Sequence, residues 1–571
     1  MRKKVHRLLY HSLCTNVAEG VGFEPTDRLN TDQTISSRSR YDHFDSPPDI
    51  TLRACLSDSI CDYTECGAKN QGAEETFAEG WTIGVKACTM AWCGLVRDDA
   101  KGGPLSHGLR RASSPGGGAK ENGLPHQCAH WFAMTREKGA FFPMHEIKEE
   151  LHELSGELKK DVRSAEEYAL SFLKWLIVAG VTGAVGGAVG TLFHTSVEWA
   201  TQLRSLYPWM LWLLPVGGLV IAAFYKLCRM ENENTNAIID SIHFGDDVPL
   251  LLVPCIYFAT VITHLFGGSA GREGAALQIG GSLGCQIGQL FHLDEKDMRL
   301  ATLCGMSAVF SALFGTPLTA TVFALEVISV GVFYYSALVP CIVSALIAYG
   351  VSSLCGIAPT RFFLPVEPVQ GLLLAKAAGL AIAASLMSIV FCLTMHGTEH
   401  LLAKRIPNGF LRIALGGAAI IALTFLVGSG DYNGAGMGVI TRAIEHGTAK
   451  PFAFALKLLF TAITIGCGFK GGEVIPTFFV GATLGAVLGP LLGIPAGFAA
   501  ALGLVCLFCG AVNCPLASIV LSVELFGGGN LVYFALGCGI AYMLSGYFGL
   551  YSSQKILYSK LRAEFINIHA K

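Results

Sequence analysis

The stretch GGSAGREGAALQIGGSLG (residues 267–284) places an arginine and a glutamate inside a glycine-rich and otherwise apolar segment. Two more glycine-rich stretches carry polar residues between apolar runs: GSGDYNGAGMG (428–438) and GCGFKGGEVIP (466–476). Glycine allows a sharp turn, and the helix that follows each turn begins with N–H groups that have no partner within the helix. Because such helix N-termini attract anions, the three breaks predict an anion conductor or exchanger.

The composition of the chain is that of a membrane protein. Of its 571 residues, 52% are hydrophobic and only 15% are charged, and the mean hydropathy is +0.49. Apolar runs such as 172–193 and 250–266 approach the length of about 20 residues that spans a bilayer. We therefore predict an all-α integral membrane protein with many spans, surrounded by lipid. The net charge of −2 argues against a nucleic-acid partner.

Residues 1–143 differ from the rest, because no stretch in them keeps a helical or strand period for long. The motif GVGFEPT (20–26) matches the translated T-arm of a transfer RNA gene. One interpretation is therefore a spurious extension read from a misplaced start codon, with the true start at Met134 or Met144. The other interpretation is a disordered cytoplasmic extension.

Residues 144–168 predict an amphipathic helix on the membrane surface, since apolar residues recur there every three or four positions. Positive charges lie before the first span and after the last, which predicts that both termini are cytoplasmic and that the protein resides in the cell (inner) membrane. These charges are Lys148, Lys159, Lys160 and Arg163 at one end, and Lys555, Lys560, Arg562 and Lys571 at the other.

The chain contains an internal repeat. TPLTATVFALEV (316–327) reappears as CPLASIVLSVEL (514–525), with a proline and a glutamate nine residues apart in both copies. The repeat predicts a first membrane half at 169–355 and a second at 356–571. In transporters built from such repeats, the substrate binds near the midplane, where broken helices meet.

Glu273 is the candidate gate. A carboxylate at a positive helix terminus imitates an anion and can occupy its site, and protonation would let it move away. The alternative is a structural ion pair between Arg272 and Glu273.

These residues resemble the CLC family of chloride channels and proton-coupled anion antiporters. The resemblance rests on GREG (271–274) before an apolar helix, on the second-half element GGEVIP (471–476) followed by GATLG (481–485), and on the repeat. It implies a voltage-gated chloride channel type of anion transporter with a CLC-type inverted-repeat bundle of tilted and broken helices. It also implies a homodimer with one pore per protomer, a gating role for Glu273, and a Tyr551 that closes the inner side of the site at the head of a final inner helix.

The branch of the family is decided by a few positions. At 232–243 the chain lacks the GSGIP motif of the chloride branch, and Val327 stands where chloride antiporters carry an inner glutamate. THLFGGSAGREG and GFKGGEVIP resemble the fluoride-exporting CLC-F branch, in which a glutamate at the position of Glu473 is central to fluoride–proton exchange. That branch usually has threonine where this chain has Ala275 and Ile475. The resemblance implies fluoride–proton antiport, with a chloride channel or chloride–proton antiporter as the alternative.

The expected anion site combines helix-terminus groups with a few hydroxyl and amide groups. Fluoride holds its water strongly, so a site must offer it many close N–H or O–H donors, and a protonated Glu473 is one such donor. The candidate residues are Gly271, Arg272 and Gly274 at the first break, Val474 and Ile475 at the third, and Thr235, Asn236 and Tyr551 elsewhere.

An intramembrane enzyme is a remote alternative, with Glu273, Glu326 and Glu473 as general acids. The sequence has neither a paired acidic motif nor a His–Glu metal signature. We therefore expect no enzymatic activity, no metal and no cofactor.

Overall fold

The computed structural model describes residues 144–231, 233–245 and 247–571. Residues 1–143 lie outside the described residues, so both interpretations of them stay predictions. The predicted surface segment 144–168 forms the start of a 63-residue helix that continues into the first span without interruption. The apolar side chains that are predicted to face the membrane lie outside the described part of the chain. The placement of this segment on the membrane surface therefore stays a prediction.

Sixteen helices and three short strands form the regular structure of the described residues. The first predicted half contains α1 (Met144–Leu206), α2 (Leu214–Cys228), α3 (Thr235–Phe244), α4 (Leu252–Phe266), α5 (Glu273–Leu290), α6 (Glu295–Phe314), α7 (Pro317–Glu326) and α8 (Tyr335–Leu354). The second contains α9 (Gly371–Arg405), α10 (Gly409–Val427), α11 (Met437–Glu445), α12 (Ala453–Gly466), α13 (Val474–Leu492), α14 (Ala496–Val512), α15 (Pro515–Phe526) and α16 (Leu531–Leu544). Turns of 3₁₀-helix occupy Pro208–Leu213 and Gly528–Asn530.

Seven helical segments in the described residues are long and apolar enough to cross a membrane: Arg163–Leu206, Pro208–Cys228, Glu295–Phe314, Tyr335–Leu354, Gly371–Arg405, Gly409–Val427 and Val474–Leu492. Several other apolar helices are too short to cross alone. Irregular backbone at membrane depth is tolerated where protein buries it or where it lines a cavity. The predicted bundle of broken helices is confirmed.

Helices end at the predicted breaks because glycine adopts a left-handed backbone there. Gly267 ends α4 with a φ of 91°, and Gly428 ends α10 with a φ of 67°. Their N–H groups bond to carbonyl groups of the last helical turn, a common C-terminal cap for which glycine carries no steric penalty.

The two copies of the repeat pack in the same way. A Cβ added to Gly280 of α5 would lie 2.3 Å from the carbonyl oxygen of Gly305 in α6. A Cβ added to Gly481 of α13 would lie 2.4 Å from the carbonyl oxygen of Gly503 in α14. Glycine therefore brings the backbones of each helix pair into contact, as small residues do at helix interfaces in membranes.

The C-terminal segment corrects one prediction, since no inner helix follows Tyr551. Residues Lys555–Tyr558 form β2, which pairs in parallel with β1 (Ser329–Val330) and antiparallel with β3 (Phe565–His569). Isoleucines at positions 566 and 568 alternate with polar residues, a pattern with the period of a strand. β1 follows α7 and is an edge strand of this three-stranded sheet.

Candidate functional site: two helix termini joined by a glycine bridge

The first and third breaks meet in an isolated two-residue β-bridge. The N–H of Gly271 donates to the carbonyl oxygen of Gly472, and the N–H of Gly472 donates to that of Gly271, both at 2.7 Å. A Cβ on Gly472 would lie 2.6 Å from the amide nitrogen of Glu273, so only glycine fits there. The bridge holds the N-termini of α5 and α13 side by side.

Glu273 lies at this junction. It is the first residue of α5, and its side chain is completely buried. Its Oε2 accepts hydrogen bonds from the N–H of Arg272 at 3.0 Å and from the N–H of Ile475 at 3.2 Å. Among the described residues nothing bonds to its Oε1. The carboxylate thus accepts hydrogen bonds from N–H groups at two helix N-termini, as a bound anion would.

Arg272 contributes its backbone rather than an ion pair. Its N–H bonds to the Glu273 carboxylate, whereas its side-chain Nε has no hydrogen-bond partner in the described part of the chain. No side-chain salt bridge joins Arg272 to Glu273 among the described ion pairs. The two side chains therefore interact electrostatically but do not form the close ion pair weighed from the sequence.

Glu473 stands at the N-cap position of α13, next to Val474 and Ile475. It is partly exposed, and no described group hydrogen-bonds to its carboxylate. It interacts electrostatically with Glu399 of α9 and with Tyr551. Glu399 was missed from the sequence, because only the fold brings the end of α9 to this site.

Tyr551 reaches the site from the C-terminal segment. Only 2% of its surface is exposed, its hydroxyl has no hydrogen-bond partner in the described chain, and it interacts electrostatically with both Glu473 and Glu273. The segment is fixed just beyond it by Gln554, whose Nε2 donates to the carbonyl oxygens of Val327 and Val512 at 3.0 Å each. Tyr551 is therefore held without a following helix.

Thr235 and Asn236, in the first turn of α3, have different surroundings. The Thr235 hydroxyl accepts a hydrogen bond from Gln278 of α5 at 3.1 Å and lies 3.5 Å from the carbonyl oxygen of Gly274. The Asn236 side-chain oxygen accepts from the N–H of Ser553 at 3.2 Å. Thr235 thus adjoins the start of α5, whereas Asn236 anchors the C-terminal segment.

The family model described as "Voltage gated chloride channel" matches residues 217–546. The chain belongs to this family, the CLC family. It is 37% identical over 417 residues to the "Chloride/fluoride channel protein" of Pseudomonas syringae pv. tomato, and the match covers 71% of this CLC chain and 92% of that protein.

Solved CLC structures resemble the fold. The crystal structure of a CLC-type fluoride/proton antiporter is 32% identical, has a TM-score of 0.65, and is matched over 67% of this chain and 98% of that one. A slow cyanobacterial Cl⁻/H⁺ antiporter, with 20% identity and a TM-score of 0.57 over 65% of this chain and 94% of that one, shows the shared fold alone. The predicted family and fold are confirmed.

One charged residue of this CLC chain was overlooked in the sequence. Lys457 of α12 is fully buried, and its Nζ donates to the hydroxyl of Ser269 at 3.0 Å and to the carbonyl oxygens of Tyr432 at 3.1 Å and Gly434 at 2.6 Å. It thereby ties the first break to the second. A lone lysine inside the apolar run 452–467 was the available signal, because ionisable residues in spans are rare and functional.

A metal site is not visible in the described part of this CLC chain, where no three His, Cys, Asp or Glu side chains are grouped to hold an ion. The buried acids instead contact backbone N–H groups. This arrangement suits an anion and a proton rather than a cation.

Proposed function

We propose that the chain is a fluoride–proton antiporter that exports fluoride across the cell (inner) membrane, with both termini in the cytoplasm. The proposed assembly is a homodimer in which each protomer holds its own pore. The names of two relatives support the substrate, since one is a chloride/fluoride channel protein and the other a fluoride/proton antiporter.

The observation that carries the proposal is the position of the Glu273 carboxylate. It accepts hydrogen bonds from N–H groups of both bridged helices, and the unpartnered hydroxyl of Tyr551 interacts electrostatically with both Glu273 and Glu473. When Glu273 is protonated, its negative charge is lost and these N–H groups become available to an anion. Protonation of Glu273 is thereby coupled to the binding of the anion that replaces the carboxylate.

Fluoride fits this donor set better than a larger halide. It requires short, strong hydrogen bonds to replace its water, and the N–H of Ile475, the Tyr551 hydroxyl and a protonated Glu473 can supply them. Glu473 has no hydrogen bond to any described group, so its carboxyl group is available both to donate to fluoride and to carry the proton.

The alternative is chloride transport, by a channel or by chloride–proton exchange. In that case the inner proton route would have to avoid the position of Val327, where chloride antiporters carry a glutamate. The neighbouring Glu326 is already occupied, since its carboxylate accepts the N–H groups of Leu516 and Ala517 at 3.1 and 2.8 Å. The same capping role argues against Glu326 as a general acid in an intramembrane enzyme.

The test is fluoride and chloride efflux from liposomes that contain the purified protein. Fluoride should leave much faster than chloride, and Glu473→Gln should abolish fluoride efflux. The same change at the exposed Glu445, outside the site, is the matched control. Chloride efflux equal to or faster than fluoride efflux would refute the fluoride assignment and leave the family unaffected.

Two further measurements address the setting of the protein. Deletion of the gene should sensitise cells to fluoride, most strongly at low external pH, where neutral hydrogen fluoride enters and ionises inside. Mass measurement in detergent should give a dimer. A monomer at all concentrations would contradict the proposed assembly.

A further inference from the structure

The loop between β2 and β3 directs one lysine back into the helical bundle. Lys560 lies in this loop, and its Nζ donates to the side-chain oxygen of Asn513 and, at 2.9 Å, to the hydroxyl of Ser545. The same Nζ lies 4.5 Å from the centroid of the Tyr542 ring. A charged group of the C-terminal strands is thus held by two neutral oxygens and the face of a ring.

Lys560 has no acidic partner among the described ion pairs. Asn513 and Ser545 are instead the C-terminal cap residues of α14 and α16. Because the last carbonyl groups of a helix carry partial negative charge, both helix ends favour an ammonium group there. Burial nevertheless lowers the pKa of Lys560 to about 8, so its charged form carries a desolvation cost. A neutral side chain of similar length would avoid this cost, so packing alone does not account for the lysine.

Asn513 connects Lys560 to the chain around Tyr551. Its backbone is left-handed, with a φ of 58°, a conformation that asparagine adopts more readily than most residues. Its Nδ2 donates to the carbonyl oxygen of Phe548 and to Oε1 of Gln554, both at 3.0 Å. Because the amide nitrogen is engaged by these two acceptors, the amide oxygen is the atom that faces the Lys560 ammonium group. Gln554 in turn bonds to carbonyl oxygens at the ends of α7 and α14.

The two acceptors of the Asn513 amide lie three residues before and three residues after Tyr551. We call residues 548–554 the Tyr551 segment. Within it, the N–H of Leu550 donates to the carbonyl oxygen of Ala511 at 2.9 Å. The Tyr551 hydroxyl has no hydrogen-bond partner in the described chain. The position of that hydroxyl therefore depends on how firmly the backbone of the Tyr551 segment is held.

We propose that Lys560 is a positioning residue for anion selectivity: it fixes the Asn513 amide, which fixes the Tyr551 segment and the place of the Tyr551 hydroxyl. The inference rests on the proposed function, in which this hydroxyl donates to fluoride. Fluoride depends on short, strong hydrogen bonds, and a hydrogen bond weakens steeply as its geometry departs from the optimum. Displacement of the hydroxyl should therefore slow fluoride more than chloride.

A double-mutant cycle on fluoride and chloride efflux from liposomes tests this role. Lys560→Met and Tyr551→Phe should each lower the ratio of fluoride efflux to chloride efflux severalfold. The double variant should have the same ratio as Tyr551→Phe alone, because without the hydroxyl Lys560 has nothing to position. Arg562→Met, at an exposed residue of the same loop, is the matched control and should leave the ratio unchanged.

Ser545→Ala is a milder variant that keeps the lysine and removes one of its two acceptors. It should lower the ratio in the same direction but by less, which guards against a Lys560→Met protein that does not fold. An unchanged ratio in both variants would overturn the proposal. Losses that add in the double variant would also overturn it, because Lys560 would then act on selectivity by a route that does not include Tyr551.

Hydrogen–deuterium exchange in detergent measures the hold on the Tyr551 segment without transport. Peptides that contain the N–H groups of Leu550 and Gln554 should exchange severalfold faster in Lys560→Met than in the wild type, and Arg562→Met should leave them unchanged. Equal exchange in Lys560→Met and the wild type would contradict the proposal. A wild type without a preference for fluoride would remove the proposed function, and faster exchange in Lys560→Met would still establish that Lys560 fixes the segment.

Discussion

Glu326 and Glu524 each cap the start of the helix that carries the other residue. Glu326, the last residue of α7, accepts the N–H groups of Leu516 and Ala517 at the start of α15. Glu524, near the end of α15, accepts those of Leu318 and Thr319 at the start of α7, at 3.1 and 2.8 Å. The two copies of the repeat are thus joined by a reciprocal pair of charge-assisted caps, so each half completes the other.

Removal of either cap should destabilise both halves. Glu326→Ala leaves two N–H groups of α15 unpaired in a buried setting, so we expect a loss of about 2–3 kcal/mol. Glu524→Ala should cost less, because Glu524 is more exposed than Glu326. Thermal unfolding in detergent, followed by circular dichroism, measures both effects. Glu564→Ala, at an exposed residue before β3, is the control, and an equal loss there would show that the caps contribute nothing specific.

Glu273→Gln should separate anion movement from proton movement. The amide resembles the protonated acid in shape but cannot release a proton, so an anion gradient should no longer drive proton uptake into liposomes. The result is read from the pH change inside the vesicles, with Glu231→Gln at an exposed residue as the comparison. Unchanged coupled proton uptake in Glu273→Gln would remove this residue from the mechanism.

Lys457→Met should unfold the junction of the first two breaks. The carbonyl oxygens of Tyr432 and Gly434 and the hydroxyl of Ser269 would lose a buried charged donor. We expect a loss of about 3 kcal/mol, because unsatisfied buried acceptors are costly. The midpoint of thermal unfolding and the yield of monodisperse protein both measure this loss of stability. Lys404→Met at an exposed helix end should alter neither.

The loop between α10 and α11 should show a weak dependence of stability on pH through Asp431. Burial raises the pKa of Asp431, but hydrogen bonds from Lys450 and Ser429, with the charges of Lys450 and Arg442, hold it below its ordinary value. The hydrogen bond to Asp431 likewise raises the pKa of Lys450. A lowered acid pKa stabilises the fold above the unfolded value of about 3.9, and this contribution is lost as the pH falls through the folded pKa.

Asp431→Asn should therefore lower stability at neutral pH, and its difference from the wild type should shrink as the pH falls from about 3.9 through the lower folded pKa. The effect should stay within about 1 kcal/mol, since the pair is largely exposed and screened by solvent. Chemical unfolding at pH 7 and at steps down to about pH 2 measures the difference. A gap between the two proteins that persists at the lowest pH would contradict this assignment.

Local patterns were sufficient to predict where helices begin at the candidate site. Glycine-rich turns carrying Glu273 and Glu473 indicated helix starts, and both residues lie at the heads of helices. The repeated proline and glutamate indicated two related halves, and these residues form the reciprocal caps. In each case the pattern lies within a dozen neighbouring residues, where backbone geometry follows directly from residue type.

Features that depend on distant parts of the chain were not predicted. The helix expected after Tyr551 is replaced by strands because Lys555 and Ile556 pair with Ser329 and Val330, more than two hundred positions away. Lys457 acquires its partners only when α12 packs against two separate breaks. The periodicity of the sequence indicates neither this strand pairing nor this helix packing.

The glycine bridge between Gly271 and Gly472 restricts how this sequence can change over generations. A Cβ at Gly271 would lie within 2.1 Å of the Glu273 carboxylate, so neither position admits even alanine without moving the gate. By contrast, Gly350, Gly379 and Gly539 have open space where a Cβ would stand. Lineages of this gene are therefore free to drift at these three glycines, but they have to carry Gly271 and Gly472 unchanged for as long as selection maintains transport.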